Sequence, residues 1–353
     1  MKALITAGGH GTRLRPITHT QNKHLIPVAN KPMLFWGLEA IAGCGIREVG
    51  VVVGDTEPEI RDALRDGSPW GLRVTYLRQD APLGLAHVVL TGRDYVGDEP
   101  FLMYLGDNML KDTLASFVRS FEEHRADAQI LLAKVPNPSR YGVVVMDGDR
   151  VVRLEEKPAQ FLSDLALAGV YLFTPAIITA AESLVPSPRG ELEITEAIQY
   201  LVDRGREVRT ERITGWWKDT GRVEDLLEAN RFALDEQDRL IEGDLDGATQ
   251  ILGDVHVEAG AVVRESVIHG PAAIGAGCRI ERSIIDPYTS VYVNTSISDS
   301  EVGNSIVMDE CRIEEVRRLR DSLVGRNVHV RRSDASPSTV QLIVGDNCAI
   351  TLS

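Results

Sequence analysis

The sequence predicts an α/β protein: a mostly parallel sheet covered by helices on both faces, followed by a parallel β-helix of hexapeptide repeats. Three observations lead there. Short apolar runs alternate with amphipathic helical stretches from the N-terminus to about residue 140. The first run ends in a glycine cluster, as a buried strand feeding a ligand loop does. Beyond about Gly247, aliphatic residues recur six apart with small or turn-forming residues between them.

In order along the chain, "KALITA" reads as a buried strand and "MLFWGLEAIAGCG" as a helix stopped by glycine. The alternation continues as strand "VGVVVG", helix "EPEIRDALRD", strand "RVTYLRQ", helix "GLAHVVLTGRDY" and strand "PFLMYLGD". Helix "TLASFVRSFEEHRA" and strand "AQILLAKV" complete it. From Tyr141 the pattern is richer in strands, with "YGVVVM", "VVRLEEKP" and "LALAGVYLF". A helix in "LEITEAIQYLVDRG", the stretch "VRTERITGWWKDTG" and a helix in "RVEDLLEANRFALDEQ" close the first domain, placed at residues 1–240. The second, residues 241–353, carries the hexads: Ile251, Val257, Val263; Ile268, Ile274, Ile280; Ile285, Val291, Ile297; then Val324 and Val330. The phase slips between series and "EEVRRLR" interrupts the beat, so the coils read as degenerate. The competing reading is an irregular β-sandwich, whose strands would alternate with period two.

A chain of 353 residues with 43% hydrophobic and 25% charged side chains reads as a soluble globular protein of two domains. Its formal net charge of −14 argues against nucleic-acid binding and against an anionic membrane surface. No apolar run approaches the roughly 20 residues of a membrane span, and the N-terminal run is too short for a signal peptide. Cys44, Cys278, Cys311 and Cys348 stand far apart with no CxxC pair, as reduced thiols in a cytoplasmic protein do.

Against that acidic background the first segment is unusual. Up to Leu38 it holds Lys2, Arg13, Arg15, Lys23 and Lys31 and no carboxylate. In "GGHGTRLRP", Gly8, Gly9 and Gly11 allow close backbone approach, and successive N–H groups there can form a nest for an anion. Arg13 adds a planar fork suited to phosphate oxygens and Lys23 a point charge. The spacing is neither GxGxxG nor GxxxxGK[ST], so the glycines alone leave open a tight turn with solvated cations.

The 26-residue stretch "GGHGTRLRPITHTQNKHLIPVANKPM" resembles the signature of the sugar-1-phosphate nucleotidylyltransferases. The resemblance continues through "QDAPLGLAH", "YLGDN", "RYGVV", "EEKP", "GVYLF", "RGELEIT" and "WWKDTG", and is strongest over residues 1–235. It implies a Rossmann-like mixed sheet with a left-handed parallel β-helix behind it. It also implies transfer of a nucleotidyl group from dTTP to glucose 1-phosphate with Mg²⁺, while the stacked coils, which commonly pack against equivalent faces of other subunits, lead to the expectation of a homo-oligomer. The matched positions assign Gly8, Gly9, Gly11, Thr12, Arg13, Gln79 and Gly84 to the nucleotide. Asn108, Tyr141, Gly142, Glu156, Lys157, Val170 and Arg189 fall to the sugar phosphate, and Asp107 and Asp219 to the metal. Arg13, Lys23, Lys157, Asp107 and Asp219 would carry the chemistry.

Two departures border the nucleotide pocket: His87 stands where many relatives carry Gln, and "APLG" lacks an acidic residue before its glycine. His87 itself reads as a packing residue of a helix face. Three alternatives stay open at this level. The nucleotide could be UTP or the sugar phosphate another hexose, and the β-helix could add acyl transfer through His256, His269 or His329. The third is a silent sugar-nucleotide-binding regulatory subunit.

Overall fold

The computed structural model describes residues 1–9, 11–111, 114–332 and 342–352. It divides into two compact units, Met1–Gly9 with Leu34–Asp219 and His10–Met33 with Thr220–Ser353. The expected cut at residue 240 is a single point along the chain, whereas compactness groups the cationic segment and the last helix with the coils.

The first unit is built on β1 (Lys2–Thr6), β2 (Glu48–Val53), β3 (Arg73–Arg78) and β4 (Phe101–Leu105). It continues with the short β5 (Asn108–Leu110), then β6 (Ala128–Lys134), β7 (Gly142–Asp147), β8 (Arg150–Glu156), β9 (Leu165–Phe173), β10 (Val208–Arg212) and β11 (Trp217–Asp219). The main sheet runs β8-β7-β9-β4-β1-β2-β3, with β6 joining β9 to β10. The β4-β1-β2-β3 half is parallel, and β9 turns the sheet antiparallel against β4, β6 and β7. The mixed, mostly parallel sheet expected from the alternation is therefore present, with the antiparallel share contributed by the strand-rich stretch after Tyr141.

Helices cover this sheet: α1 (Met33–Gly43), α2 (Glu57–Leu64), α3 (Leu85–Val96), α4 (Leu114–His124), α5 (Ala176–Glu182) and α6 (Ile194–Asp203). The first residue expected in the α4 helix, at position 113, lies outside the described residues. The sequence reading places no helix at α5, whose 7 residues are too few to show a helical period. Leu4, Phe101, Met103, Ile130, Tyr171, Phe173, Ile177 and Ile198 join one buried cluster that links the sheet to α3, α5 and α6. Burial of these side chains drives the assembly, at roughly 1.5–3 kcal/mol each.

In the second unit, α7 (Val223–Asp235) precedes the coils. Three parallel ladders run along them, joining for example Val257, Ile274 and Val291; Val263, Ile280 and Ile297; and Ile268, Ile285 and Val302. All nine of these side chains are 0% exposed and stack in one core. This is the expected β-helix and not a sandwich. The phase slip has a simple origin: corresponding corner residues such as Ser266 and Ser283 lie 17 apart, one short of three full hexads. "EEVRRLR" does not break the stack, because Val316 and Leu319 turn inward and hold the coil while the charged residues point outward. That corrects the expectation of an interruption: the aliphatic beat persists through a charged stretch.

Cys278 and Cys311 are buried in these coils, and all four cysteines are free thiols. Burial pushes the Cys278 and Cys311 thiols up to about 12, so they pack as small apolar groups. Among the described residues, no helix is long and apolar enough to cross a membrane.

Candidate active site

Strands β2 and β3 continue the sheet on one side of β1 and β4 continues it on the other, so the strand order reverses between β1 and β4. Ligands of such sheets bind beyond the carboxyl ends at this point. Here the Thr6 hydroxyl accepts the Gly106 N–H at 3.0 Å, tying the end of β1 to the end of β4. Gly8 follows, and a side chain there would lie 3.0 Å from the Gly54 nitrogen. Only glycine fits this close approach of two backbones.

Asp107 leaves the end of β4, and β5 then pairs antiparallel with β11, setting Asp219 opposite Asn108. Asp219 is thus set opposite the residue that follows Asp107, although the two aspartates are far apart in sequence. Asn108, 3% exposed, organises the place. Its Nδ2 donates to Asp107 Oδ1 at 3.1 Å, its Oδ1 accepts Trp217 Nε1–H at 2.8 Å, and its carbonyl accepts the Tyr104 hydroxyl at 2.9 Å. Trp217 Nε1 also reaches the Ala168 carbonyl at 2.9 Å. Gly169, at φ +72°, leaves the space that the Asn108 carboxamide fills: a side chain there would be 2.8 Å from its Cγ. Sequence reasoning missed Trp217 and Tyr104. The paired tryptophans of "GWWKDTG" were the available signal for the first.

Several of the positions expected to meet the sugar phosphate also gather. Gly142 lies opposite Glu156 in the β7–β8 ladder, and Lys157, at φ +44°, donates its N–H to the Tyr141 carbonyl at 2.9 Å. The Tyr141 ring meets Trp217 edge-on at 5.5 Å, linking this corner to the aspartate ribbon. Glu156 Oε1 is 3.2 Å from Lys157 Nζ and 3.3 Å from Arg189 Nη1. Arg189 also pairs with Glu191 and Glu193, each at 3.1 Å, so it neutralises a carboxylate cluster. Burial, with the Glu156 charge assisting, raises the pKa of Glu193 and Glu196. The Tyr171 phenol is raised by burial first and then by the charges of Glu156 and Asp107, which therefore both act on this one hydroxyl. Val170 is fully buried and lies opposite Tyr104 in the β9–β4 ladder.

Among the positions expected to meet the base, Gln79 Nε2 lies 2.8 Å from His87 Nδ1. His87, expected as a packing residue of a helix face, is also a polar partner of Gln79. Gly84, at φ +100°, meets the main chain of Leu192, and Leu192 donates to the Leu83 carbonyl at 2.7 Å.

In the second unit, Gly11 takes a left-handed conformation (φ +59°), and its carbonyl accepts the Thr18 hydroxyl at 2.7 Å. A side chain on Gly11 would lie 3.0 Å from Lys23 Cβ, so the lysine stem runs along the glycine. Thr12 and Arg13 are exposed, while Leu14 and Ile17 are fully buried and root the turn. Asn22 Oδ1 caps the short turn at Lys23 by accepting the His24 N–H at 2.7 Å.

Glycine at the switch point of the sheet, with Asp219 set opposite the neighbour of Asp107 on a short ribbon, is equipment of an enzyme that handles nucleotides. A family model described as Nucleotidyl transferase matches residues 2–236, and the chain belongs to that family. The chain is 51% identical to a curated glucose-1-phosphate thymidylyltransferase of Streptomyces griseus, across 100% of both chains. It is equally 51% identical to one of Streptomyces antibioticus, across 100% of this chain and 99% of the other. A solved UDP-glucose pyrophosphorylase complexed with UDP-glucose superposes with a TM-score of 0.61 at 26% identity, over 67% of this chain and 99% of that one. The chain is a nucleotidyltransferase.

Proposed function

We propose that the protein transfers a deoxythymidylyl group from dTTP to α-D-glucose 1-phosphate, releasing pyrophosphate, with residues 1–240 carrying the reaction. The observation that carries this reading is the end-to-end similarity to the two Streptomyces thymidylyltransferases.

A phosphate monoester has a second pKa of about 6, so the sugar phosphate is already largely dianionic at pH 7 and no general base is needed. One of its oxygens forms a bond to the α-phosphorus as the α–β phosphoanhydride bond breaks, and the electron pair leaves with pyrophosphate. The barrier is the meeting of two polyanions, so catalysis is positioning and charge stabilisation. Arg13 is assigned to the β- and γ-phosphates and Lys23 to the α-phosphate, with N–H groups of Gly8, Gly9, Gly11 and Thr12 completing the cradle. Gln79 and Gly84 read the pyrimidine edge. Glu156 accepts from sugar hydroxyls, aided by main-chain groups of Tyr141, Gly142 and Val170, while Lys157 and Arg189 meet the sugar phosphate. Asn108 orients Asp107 through the contact described above.

Asp107 and Asp219 fit a divalent cation. Among the described residues no group of three or more His, Cys, Asp or Glu could hold a metal. A pair of carboxylates suits Mg²⁺, which takes one or two from protein and completes its shell with substrate phosphates and water. Bound there, Mg²⁺ would neutralise charge on the phosphates.

UTP is the second reading, favoured by the UDP-glucose-binding neighbour. Thymine differs from uracil by one methyl group, a difference worth only about 1–3 kcal/mol in a pocket. A pyrophosphate-release screen pairing dTTP, UTP and dCTP with several hexose 1-phosphates tests both. The highest kcat/KM is expected for dTTP with glucose 1-phosphate, and equal values for UTP would defeat the thymidylyl assignment.

A further inference from the structure

Among the described residues, positions 11–32 of the cationic segment contain only turns of three residues and the two-residue strands Pro27–Val28 and Lys31–Pro32. Such elements have little stability of their own. Something else must fix Lys23.

The anchors lie on both sides of Lys23, and they come from α7 and the coils. Asn230 of α7 is 0% exposed. Its Oδ1 accepts the Ala29 N–H at 2.8 Å and the Ser290 hydroxyl at 2.7 Å, and its Nδ2 donates to the Tyr288 carbonyl at 3.0 Å. Ala29 and Asn30 are both left-handed (φ 48° and 59°), a turn that needs outside support because neither is glycine. Asn30 Nδ2 donates directly to the Val291 carbonyl at 2.9 Å. On the other side, Gln21 Nε2 is 3.6 Å from Met308 Sδ, and the Thr20 hydroxyl donates to Asp346 at 2.6 Å. Residues 291, 308 and 346 end or follow rungs of a single ladder, the one that pairs Val291 with Val307, Val307 with Val324 and Val324 with Val344.

We propose that this ladder edge is the support that sets the phosphate-binding segment, with Asn230 as its positioning residue. The inference rests on the reading of Arg13 and Lys23 as triphosphate contacts. It gives the β-helix a role in the transfer itself: the coils hold Lys23 from both sides through residues 20–21 and 29–30. Asn230 touches no substrate in this account and acts through Ala29.

The test compares Asn230→Ala and Asn30→Gly with Ser283→Ala, whose hydroxyl serves a coil corner and contacts no residue of the segment. Asn30→Gly keeps the left-handed backbone and also removes a buried acceptor, Oδ1, that has no partner, so it is expected to fold. Both asparagine variants should raise the KM for dTTP about tenfold, the size expected when a charged contact loses its position. They should also speed hydrogen exchange in residues 12–30 while the coils stay protected. Ser283→Ala should lower the thermal midpoint without moving either quantity. Unchanged KM and exchange in both asparagine variants overturns the proposal, as does an equal KM rise in Ser283→Ala. Loosened exchange with unchanged KM, while Arg13→Ala and Lys23→Ala still raise it, also overturns it. If Arg13→Ala and Lys23→Ala are themselves silent, the reading beneath it fails instead.

Discussion

The side-chain amide of Gln79 meets the His87 imidazole at 2.8 Å, Nε2 to Nδ1. In this arrangement the amide donates, and its carbonyl oxygen is left to accept from a pyrimidine N3–H. His87→Ala is expected to release the amide and raise the KM for dTTP about fivefold, the worth of roughly one hydrogen bond. Because cytosine has no N3–H, the preference for dTTP over dCTP should fall in the same variant. Steady-state kinetics with both nucleotides checks this, and an unchanged preference removes His87 from base recognition.

Asp107→Asn separates charge from shape. An amide at that position keeps an oxygen to accept the Asn108 N–H, so the ribbon with Trp217 should survive and unfolding free energy should change by only about 0.5 kcal/mol. Turnover should drop roughly 10²–10³-fold as stabilisation of the transferring phosphoryl group is lost. Chelation of divalent ions should silence the wild type, with Mg²⁺ restoring it. Near-normal turnover of the variant in Mg²⁺ would place the metal elsewhere.

Much of this was legible in the residues. The β-helix could be read because each inward aliphatic recurs at nearly fixed spacing, whereas Val316 and Leu319 were hidden as core residues by the charged stretch around them. The glycine loop could be read because backbone crowding, as between Gly8 and Gly54, leaves a glycine in the sequence. The placement of Asp219 opposite Asn108, next to Asp107, could not be read from spacing, since it depends on an antiparallel ribbon between distant segments; the two aspartates were linked only through resemblance. The hold of the coils on residues 20–30 was also hidden. It rests on single side-chain contacts of Thr20, Gln21, Asn30 and Asn230, which carry no periodicity.

Glu193 gives the chain a testable pH dependence. Burial, reinforced by Glu156, raises its pKa above the ordinary 4.5, despite help to the anion from Ser187 and Arg189. A carboxyl group whose folded pKa is raised contributes stability that is fully present below the unfolded value and lost as pH rises through the folded value. Glu193→Gln removes that loss. The variant should therefore gain stability relative to wild type as pH rises from about 4.5 toward neutrality. Thermal midpoints of the two proteins across that range check the sign, and parallel curves would show that Glu193 titrates normally.

The coil corners should show a sharper stability effect. Ser283 is 3% exposed, and its hydroxyl donates to the Glu281 carbonyl at 2.7 Å while accepting the Ser300 N–H at 3.1 Å. Its own N–H is accepted by the Ser266 hydroxyl at 3.0 Å, so the serines form a ladder that satisfies backbone donors where no strand pairing reaches. Ser283→Ala leaves the Ser300 N–H buried without its acceptor, at a cost of about 1–3 kcal/mol. Ser283→Thr retains the hydroxyl and should cost less, whereas Ser283→Val matches threonine in size and should resemble alanine or worse. Thermal midpoints ranked wild type, Thr, then Ala and Val support the ladder. If Thr and Val proved equally damaging, steric crowding at the corner would be the cause and the hydroxyl would carry no special weight.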